Sequence, residues 1–436
     1  MSLPTLPAPP ASLSLSGGLP VTLLHRPGPA ILSARLVIRG GSGMDPSGCR
    51  GAHQLLAGLM TRGCGELDAE ALADLVEGAG AGLRCEAGED SLVLALKCAA
   101  EDSTTLLPLL LAMVRRPRLE PDQLDLERQL NLQSLQRQRE DPFQLAHDQL
   151  RHQLYGDGPY GHDPLGVEEE LAQIGKAELR PLVADLGRQG AVLVLCGQLP
   201  EDPRALLEPA LAPQGWCTAP PSASSAAALA ATTSPAGTLA AIEQDTEQLV
   251  LLLGCATLPL GHPDTTALRL IQAHLGVGMS SRLFVTMREE RGLAYDVGVH
   301  LPARCGAAPF VLHLSTSAER AEEACRCLLD EWQRLRQQPL SEAEWALALA
   351  KHRGQDAMAR QTCSQIAERQ ALLLSHGLPA DHFEHALVQA AALTPADLQA
   401  AAQCWLGRPS LSLVGPSEAI AGAEAAWRAH PLGGQN

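Results

Sequence analysis

The stretch Pro263-Asp-Thr-Thr-Ala-Leu-Arg-Leu-Ile-Gln-Ala-His-Leu275, followed by Gly276-Val-Gly-Met-Ser-Ser-Arg-Leu-Phe284 and Val285-Thr-Met-Arg-Glu-Glu-Arg-Gly-Leu-Ala-Tyr295, decides how this chain is read. Its first part is a capped amphipathic helix, with Pro263 and Asp264 at the start. A glycine-containing loop follows, then a helix that carries Arg288. Gly292 can end that helix in the left-handed conformation, and Tyr295 is expected to begin the next strand. Just upstream, Asp245-Thr-Glu-Gln-Leu-Val-Leu-Leu-Leu-Gly254 reads as an apolar strand with a polar lead-in.

Working outward, the segment 218–237 is built, apart from Leu229, of Ala, Ser, Thr, Pro and Gly without a charge. It can bury little and reads as a linker. It splits the chain into parts 1–217 and 238–436 of similar length, and the two parts echo each other. The helix start Lys176-Ala-Glu-Leu179 precedes the apolar run Ala191–Gly197, as Thr394-Pro-Ala-Asp-Leu398, a capped helix start with Pro395 and the acid Asp397, precedes Ser410–Gly415. Pro121-Asp-Gln-Leu opens a helix in the first part, as Ser341-Glu-Ala-Glu does in the second, where Ser341 and Glu344 can form a capping box. An internal duplication is the economical explanation. Residues 31–39 alternate, with Leu32, Ala34, Leu36 and Ile38 on one face and Ser33, Arg35 and Arg39 on the other; 310–315 alternates in part. Half-buried strands with separately grouped helices predict an α+β fold: two tandem homologous domains, each an antiparallel-rich sheet covered on one face by helices.

Composition narrows the function. Acidic residues outnumber basic ones, 49 to 33, for a net charge of −16, which disfavours nucleic acid and anionic membrane as partners. Aromatics make up only 3%, so leucine and alanine must fill the core. The 12 cysteines form no C-x-x-C pair and fit reduced thiols better than a disulfide framework. No leader or membrane-spanning run is evident, so a cytoplasmic protein is expected. Phosphate-binding glycine loops and the G-x-S-x-G elbow are missing.

The helix opening at Gly51-Ala-His-Gln-Leu-Leu-Ala-Gly-Leu-Met60 has an apolar stripe of Ala52, Leu55, Leu56, Leu59 and Met60, so it packs on something. His53 stands near its start; by itself a helix histidine is usually a hydrogen-bonded structural residue. Cys49 with His53, and His382 with His385, are further weak metal candidates, each two ligands at best.

The run Gly40-Gly-Ser-Gly-Met-Asp45, Gly51-Ala-His53, Leu59-Met60, Gly63 resembles the opening of the pitrilysin/insulinase metallopeptidase family, which includes mitochondrial processing peptidase. The stretch from Gly276 to Tyr295 is similar to that family's C-terminal domain. Catalytic members carry H-x-x-E-H on this helix: two histidines for zinc and a glutamate as general base. Carried onto this chain, only the first histidine survives, as His53. The glutamate position is Leu56, the second histidine is Ala57, and the third ligand falls on Gln133 or Ser134. One imidazole cannot hold zinc where catalytic sites use three protein ligands.

The family's arginine–tyrosine pair maps onto Arg288 and Tyr295. A guanidinium and a phenol can donate to a peptide carbonyl or its oxyanion, although a salt bridge to Glu289 and a packed strand tyrosine are the plain alternatives. The resemblance therefore implies half of a clamshell. This chain would be the non-catalytic, substrate-binding subunit of a heterodimeric zinc metalloendopeptidase, inactive alone and binding no metal itself, with zinc in a homologous partner chain. A purely structural scaffold subunit is the alternative; an independent peptidase with an unusual metal site is a weaker one.

Overall fold

The computed structural model describes residues 10–211, 216 and 237–433. The expected linker therefore lies outside the described residues except for Gly237.

Two sheets organise the chain. The first contains β1 (Ala11–Ser14), β2 (Pro20–His25), β3 (Ile31–Arg39), β4 (Gly82–Ala87), β5 (Ser91–Ala99) and β6 (Ala191–Gly197), in the order β1-β2-β6-β3-β5-β4. The second contains β7 (Leu239–Glu243), β8 (Gln248–Ala256), β9 (Val297–His300), β10 (Pro309–Ser317) and β11 (Ser410–Gly415), in the order β7-β11-β8-β10-β9. With β1 set aside, the two strand orders are the same. The single parallel pair also falls at the same place, β2 on β6 and β7 on β11. Every other neighbouring pair is antiparallel. This is a two-domain α+β fold made of one pattern used twice.

The helix starts behave as their sequences require. Ser341 and Glu344 close a reciprocal cap, with Glu344 accepting from the Ser341 N–H at 2.8 Å. Thr394 and Asp397 do the same before the helix Pro395–Trp405. At the matching place in the first half, Glu178 accepts from the Gly175 N–H at 2.9 Å. Asp264 instead accepts from the Trp405 indole at 2.8 Å and makes no side-chain cap.

The expectation of one open sheet face is corrected. Leu32, Ala34, Leu36 and Ile38 join the core with the helices Ala52–Met60 and Ser103–Arg115. The other face of β3 is buried as well, under the helix Cys363–Ser375 from the second half. Ala367 and Ala371 of that helix lie against Val37, Val192, Val194 and Cys196. Arg35 tolerates burial because its guanidinium donates to the Ala34 carbonyl at 3.0 Å and to the Ser364 hydroxyl.

The reverse exchange occurs too. The helix Pro142–Tyr155 of the first half covers the second sheet, placing Ala146, Leu150 and Leu154 on Val250, Leu252, Val311 and Val414. Ser412 Oγ anchors it by donating to the Ala146 carbonyl at 2.9 Å. The two crossing helices hold equivalent places in their halves, each following a long helix, Pro121–Glu140 or Glu342–Met358.

Ala371 is 1% exposed on the first sheet. Ala371→Leu is expected to overpack this contact and destabilise by about 1–3 kcal/mol. Because the helix and the sheet come from opposite halves, calorimetry should find one lowered transition, not a selective loss of one half.

Candidate functional site

The helix Ala52–Met60 begins where Gly51 adopts a left-handed backbone, φ 102°. A side chain there would collide with Leu171 and with the backbone at Leu165 and Gly166. Asp45 grips the helix start. Its carboxylate accepts from the Gly51 N–H at 2.6 Å and the His53 N–H at 3.0 Å, and lies 2.6 Å from His53 Nδ1. His162 Nε2 approaches the same carboxylate at 3.8 Å, close enough for attraction but not for a hydrogen bond. Burial alone would push the Asp45 carboxyl up, but His162, His53 and the Gly51 N–H outweigh it and hold it below the ordinary carboxylate range.

The other positions of the family motif offer nothing to a metal. Leu56 and Ala57 are fully buried in the core of the first half. Gln133 is exposed, and Ser134 donates to the Leu130 carbonyl of its own helix at 2.9 Å. A carboxylate does sit behind this helix, but it is Glu127, held by the Arg62 guanidinium at 2.6 Å. These residues do not fit a zinc ion. The weaker His382–His385 pair also fails to gather ligands: His385 faces Asp381 at 3.5 Å and is largely exposed, while the His382 ring meets Phe383 edge-on.

Arg288 and Tyr295, in contrast, meet. Arg288 lies in a wide, π-type helix, Phe284–Glu290. Gly292 then reverses the chain at φ 58°, and the Leu293 N–H bonds back to the Met287 carbonyl at 2.6 Å. Tyr295 precedes β9 by two residues instead of beginning it. Arg288 Nη1 donates to the Tyr295 carbonyl at 3.0 Å, and its guanidinium lies 5.0 Å from the Tyr295 ring and 4.9 Å from that of Phe284. Arg288 makes no ion pair among the described residues, so the expected alternative of a bridge to Glu289 is not what the side chain does.

The three tyrosines divide sharply. Tyr155 and Tyr160 are buried between the halves, whereas Tyr295 is 78% exposed. Leaving so much aromatic surface in water is unfavourable unless something covers it. The loop before the Arg288 helix also exposes Met279, at 74%. Beside the pair lies an open cleft of ≈ 350 Å³, lined by Gln248, Arg288, Tyr295 and the β10 residues Ser315, Thr316 and Ser317. The Ser315 N–H still donates to the Asp296 carbonyl at 3.0 Å, and past it this end of β10 has no strand beside it on the β9 side.

A duplicated α+β chain with a ligand-poor metallopeptidase helix in one half is the signature of one class, and sequence comparison agrees. The family model for Insulinase (Peptidase family M16) matches residues 21–166, and the Peptidase M16 inactive domain model matches 191–351. The chain belongs to the insulinase-type peptidase family M16. An uncharacterized zinc protease of Streptomyces coelicolor is 22% identical over 410 residues, covering 92% of this chain and 89% of the relative. One from Mycobacterium leprae is 28% identical over 291 residues, 65% of this chain and 64% of the relative. Among solved structures, the M16 inactive domain from Pseudomonas fluorescens superposes with a TM-score of 0.84 at 24% identity, covering 94% of this chain and 98% of that one. A protease from Helicobacter pylori gives 0.80 at 17%, covering 93% and 99%. At these identities the structural likeness concerns the fold.

Sequence reasoning missed Asp45 as the partner of His53, although Asp45 stands within the quoted opening motif. It also missed His162, which no local pattern connects to this helix. Because Asp45 has a lower pKa folded than unfolded, its contribution is complete above the unfolded value, near 3.8, and is lost as pH falls through the folded one. Asp45→Asn should therefore lower stability at pH 7 by about 1–3 kcal/mol. It should also flatten the acid limb of a stability-versus-pH curve measured by urea unfolding.

Proposed function

We propose that this chain is a non-catalytic, substrate-contacting subunit of a zinc metalloendopeptidase, working in a cytoplasmic complex with a homologous chain that carries the zinc. The observation that carries the reading is the contrast between the two halves. The metallopeptidase helix is packed with Leu56 and Ala57, and its one histidine is occupied by Asp45. The Arg288–Tyr295 pair stands exposed at a cleft with hydrogen-bond donors to spare. A guanidinium has five N–H donors, and only one is used on the Tyr295 carbonyl. The remaining donors and the Tyr295 hydroxyl suit a peptide carbonyl, or the charge that develops on its oxygen. The last residues of β10, Thr316 and Ser317, have no strand on the β9 side, which suits an extended peptide lying alongside. Metal and general base would come from the partner; this chain's part is to hold and orient the substrate. The free state of all eleven described cysteines supports a reducing compartment.

The experiment is reconstitution with the zinc-bearing partner, followed by peptide hydrolysis. Tyr295→Phe keeps the ring over Arg288 and deletes one hydroxyl; it should cut turnover on the order of 10²–10³-fold without preventing assembly. Arg288→Ala should also lower turnover and weaken peptide binding. His53→Ala should leave turnover of the complex nearly unchanged. If Tyr295→Phe is silent and the complex still assembles, the chain is a scaffold and the reading fails.

A further inference from the structure

We propose that Asp90, Cys305 and His376 form a binding site for one zinc-class divalent cation at the junction of the two halves. The three come from separate segments. Asp90 lies in the turn between β4 and β5, Cys305 in the loop between β9 and β10, and His376 directly after the crossing helix Cys363–Ser375. Their ligating atoms all lie within 4.8 Å of one another. A tetrahedral zinc ion with bonds of about 2.0–2.3 Å separates its ligands by roughly 3.3–3.8 Å. Small side-chain rotations would close the remaining gap.

Each ligand is prepared by what surrounds it. His376 Nδ1 lies 2.8 Å from the Leu372 carbonyl, which can only accept, so Nδ1 carries the proton and Nε2 has the lone pair. That Nε2 atom is sealed from solvent and has no hydrogen-bond partner. An unsatisfied buried acceptor is costly, and a cation would satisfy it. The imidazole N–H on a backbone carbonyl is also the usual second-shell support of a metal-bound histidine. Asp90 is fixed through both oxygens, accepting from the Tyr160 hydroxyl at 2.6 Å and from the Cys305 N–H at 2.8 Å. Each oxygen keeps a lone pair for a metal.

Burial and the Asp90 carboxylate push the Cys305 thiol up to about 12, against a smaller opposing effect of Arg39. Without a cation the sulfur is a neutral thiol. On binding, the S–H bond breaks, a proton leaves to solvent, and the thiolate takes the metal. Thiolate and carboxylate together then balance the two positive charges of the ion, while the Arg39 guanidinium stands nearby. Soft sulfur with imidazole and one carboxylate favours zinc over magnesium or calcium. Three protein ligands leave one position for water. The site is separate from the helix Ala52–Met60, so the proposal departs from the expectation of no bound metal without restoring the family's catalytic centre. A cation held here would tie the first sheet, the second half's loop and the end of a crossing helix into one clasp.

The test uses the full-length chain, stripped with chelator and titrated with Co²⁺. One equivalent should bind with tetrahedral visible bands and a near-ultraviolet thiolate-to-cobalt band, and Zn²⁺ should displace it. Cys305→Ser should abolish the thiolate band and weaken binding at least about 100-fold, since one of three protein ligands is lost. His376→Gln, which leaves every cysteine in place, should weaken binding similarly while the thiolate band shrinks. His53→Ala should bind as the unaltered chain does. Zinc should raise the melting temperature of the unaltered chain but not of the two ligand variants. The proposal is overturned if micromolar Co²⁺ shows no saturable binding. It also fails if the thiolate band survives Cys305→Ser, or if His376→Gln, folded by circular dichroism, binds with full affinity.

Discussion

The fold depends on the exchange of two helices. Both faces of each sheet are apolar, and each half supplies cover for only one of them. Val37, Val192 and Val194 would face water if Cys363–Ser375 stayed with its own half, as Val250, Leu252 and Val311 would without Pro142–Tyr155. At about 25 cal/mol per Å² of apolar surface, exposing such a face is prohibitive for a protein of ordinary stability. The halves therefore need each other to fold, which is a stronger bond than two domains resting edge to edge. It also accounts for the polar pairs that sit between them, such as Arg35 with Ser364 and Arg304 with Glu89, since a polar atom trapped by the exchange is costly when left without a partner.

What could be read from sequence was local. Periodicity gave β3 and the stripe of the helix Ala52–Met60, and the Ser-x-x-Glu and Thr-x-x-Asp starts gave two helix ends to the residue. The duplication was legible because the repeated elements keep their order. The exchange was not. A stripe such as Ala367 and Ala371 says that one helix face is covered, but nothing in it specifies which sheet does the covering. Arg35 even argued for solvent, because a lone arginine on a strand normally marks a wet face. Its partner, Ser364, lies far along the chain and is brought there only by the crossing helix.

The candidate site divides in the same way. Arg288 and Tyr295 are seven residues apart, so one helix end and one glycine bring them together, and the local sequence suffices. The groups around His53 required tertiary knowledge. Cys305 and Asp90 are 215 residues apart, and their backbone and side chain meet only because the halves close on each other. Residue types that carry chemistry are thus placed by two mechanisms: short-range turns at the exposed cleft, and long-range packing at the junction.

The emptied helix is more than a helix with ligands removed. Leu56 and Ala57 are fully buried, so the positions that would face a metal now contribute to the core of the first half. Restoring a carboxylate at 56 would place a charge among leucines, at a cost of several kcal/mol unless a metal and a second ligand arrived with it. Gly58 closes off a further route, because any side chain there would meet the Glu127 carboxylate at 2.2 Å, and that carboxylate is held in place by Arg62. The loss of zinc chemistry is therefore built into the packing around the helix. Asp45 completes the conversion: it satisfies His53, caps the helix start, and leaves the surviving histidine a structural residue. On the function proposed above, such a chain takes part in peptide hydrolysis only through groups outside that helix, with the exposed Arg288 and Tyr295 as the proposed contacts.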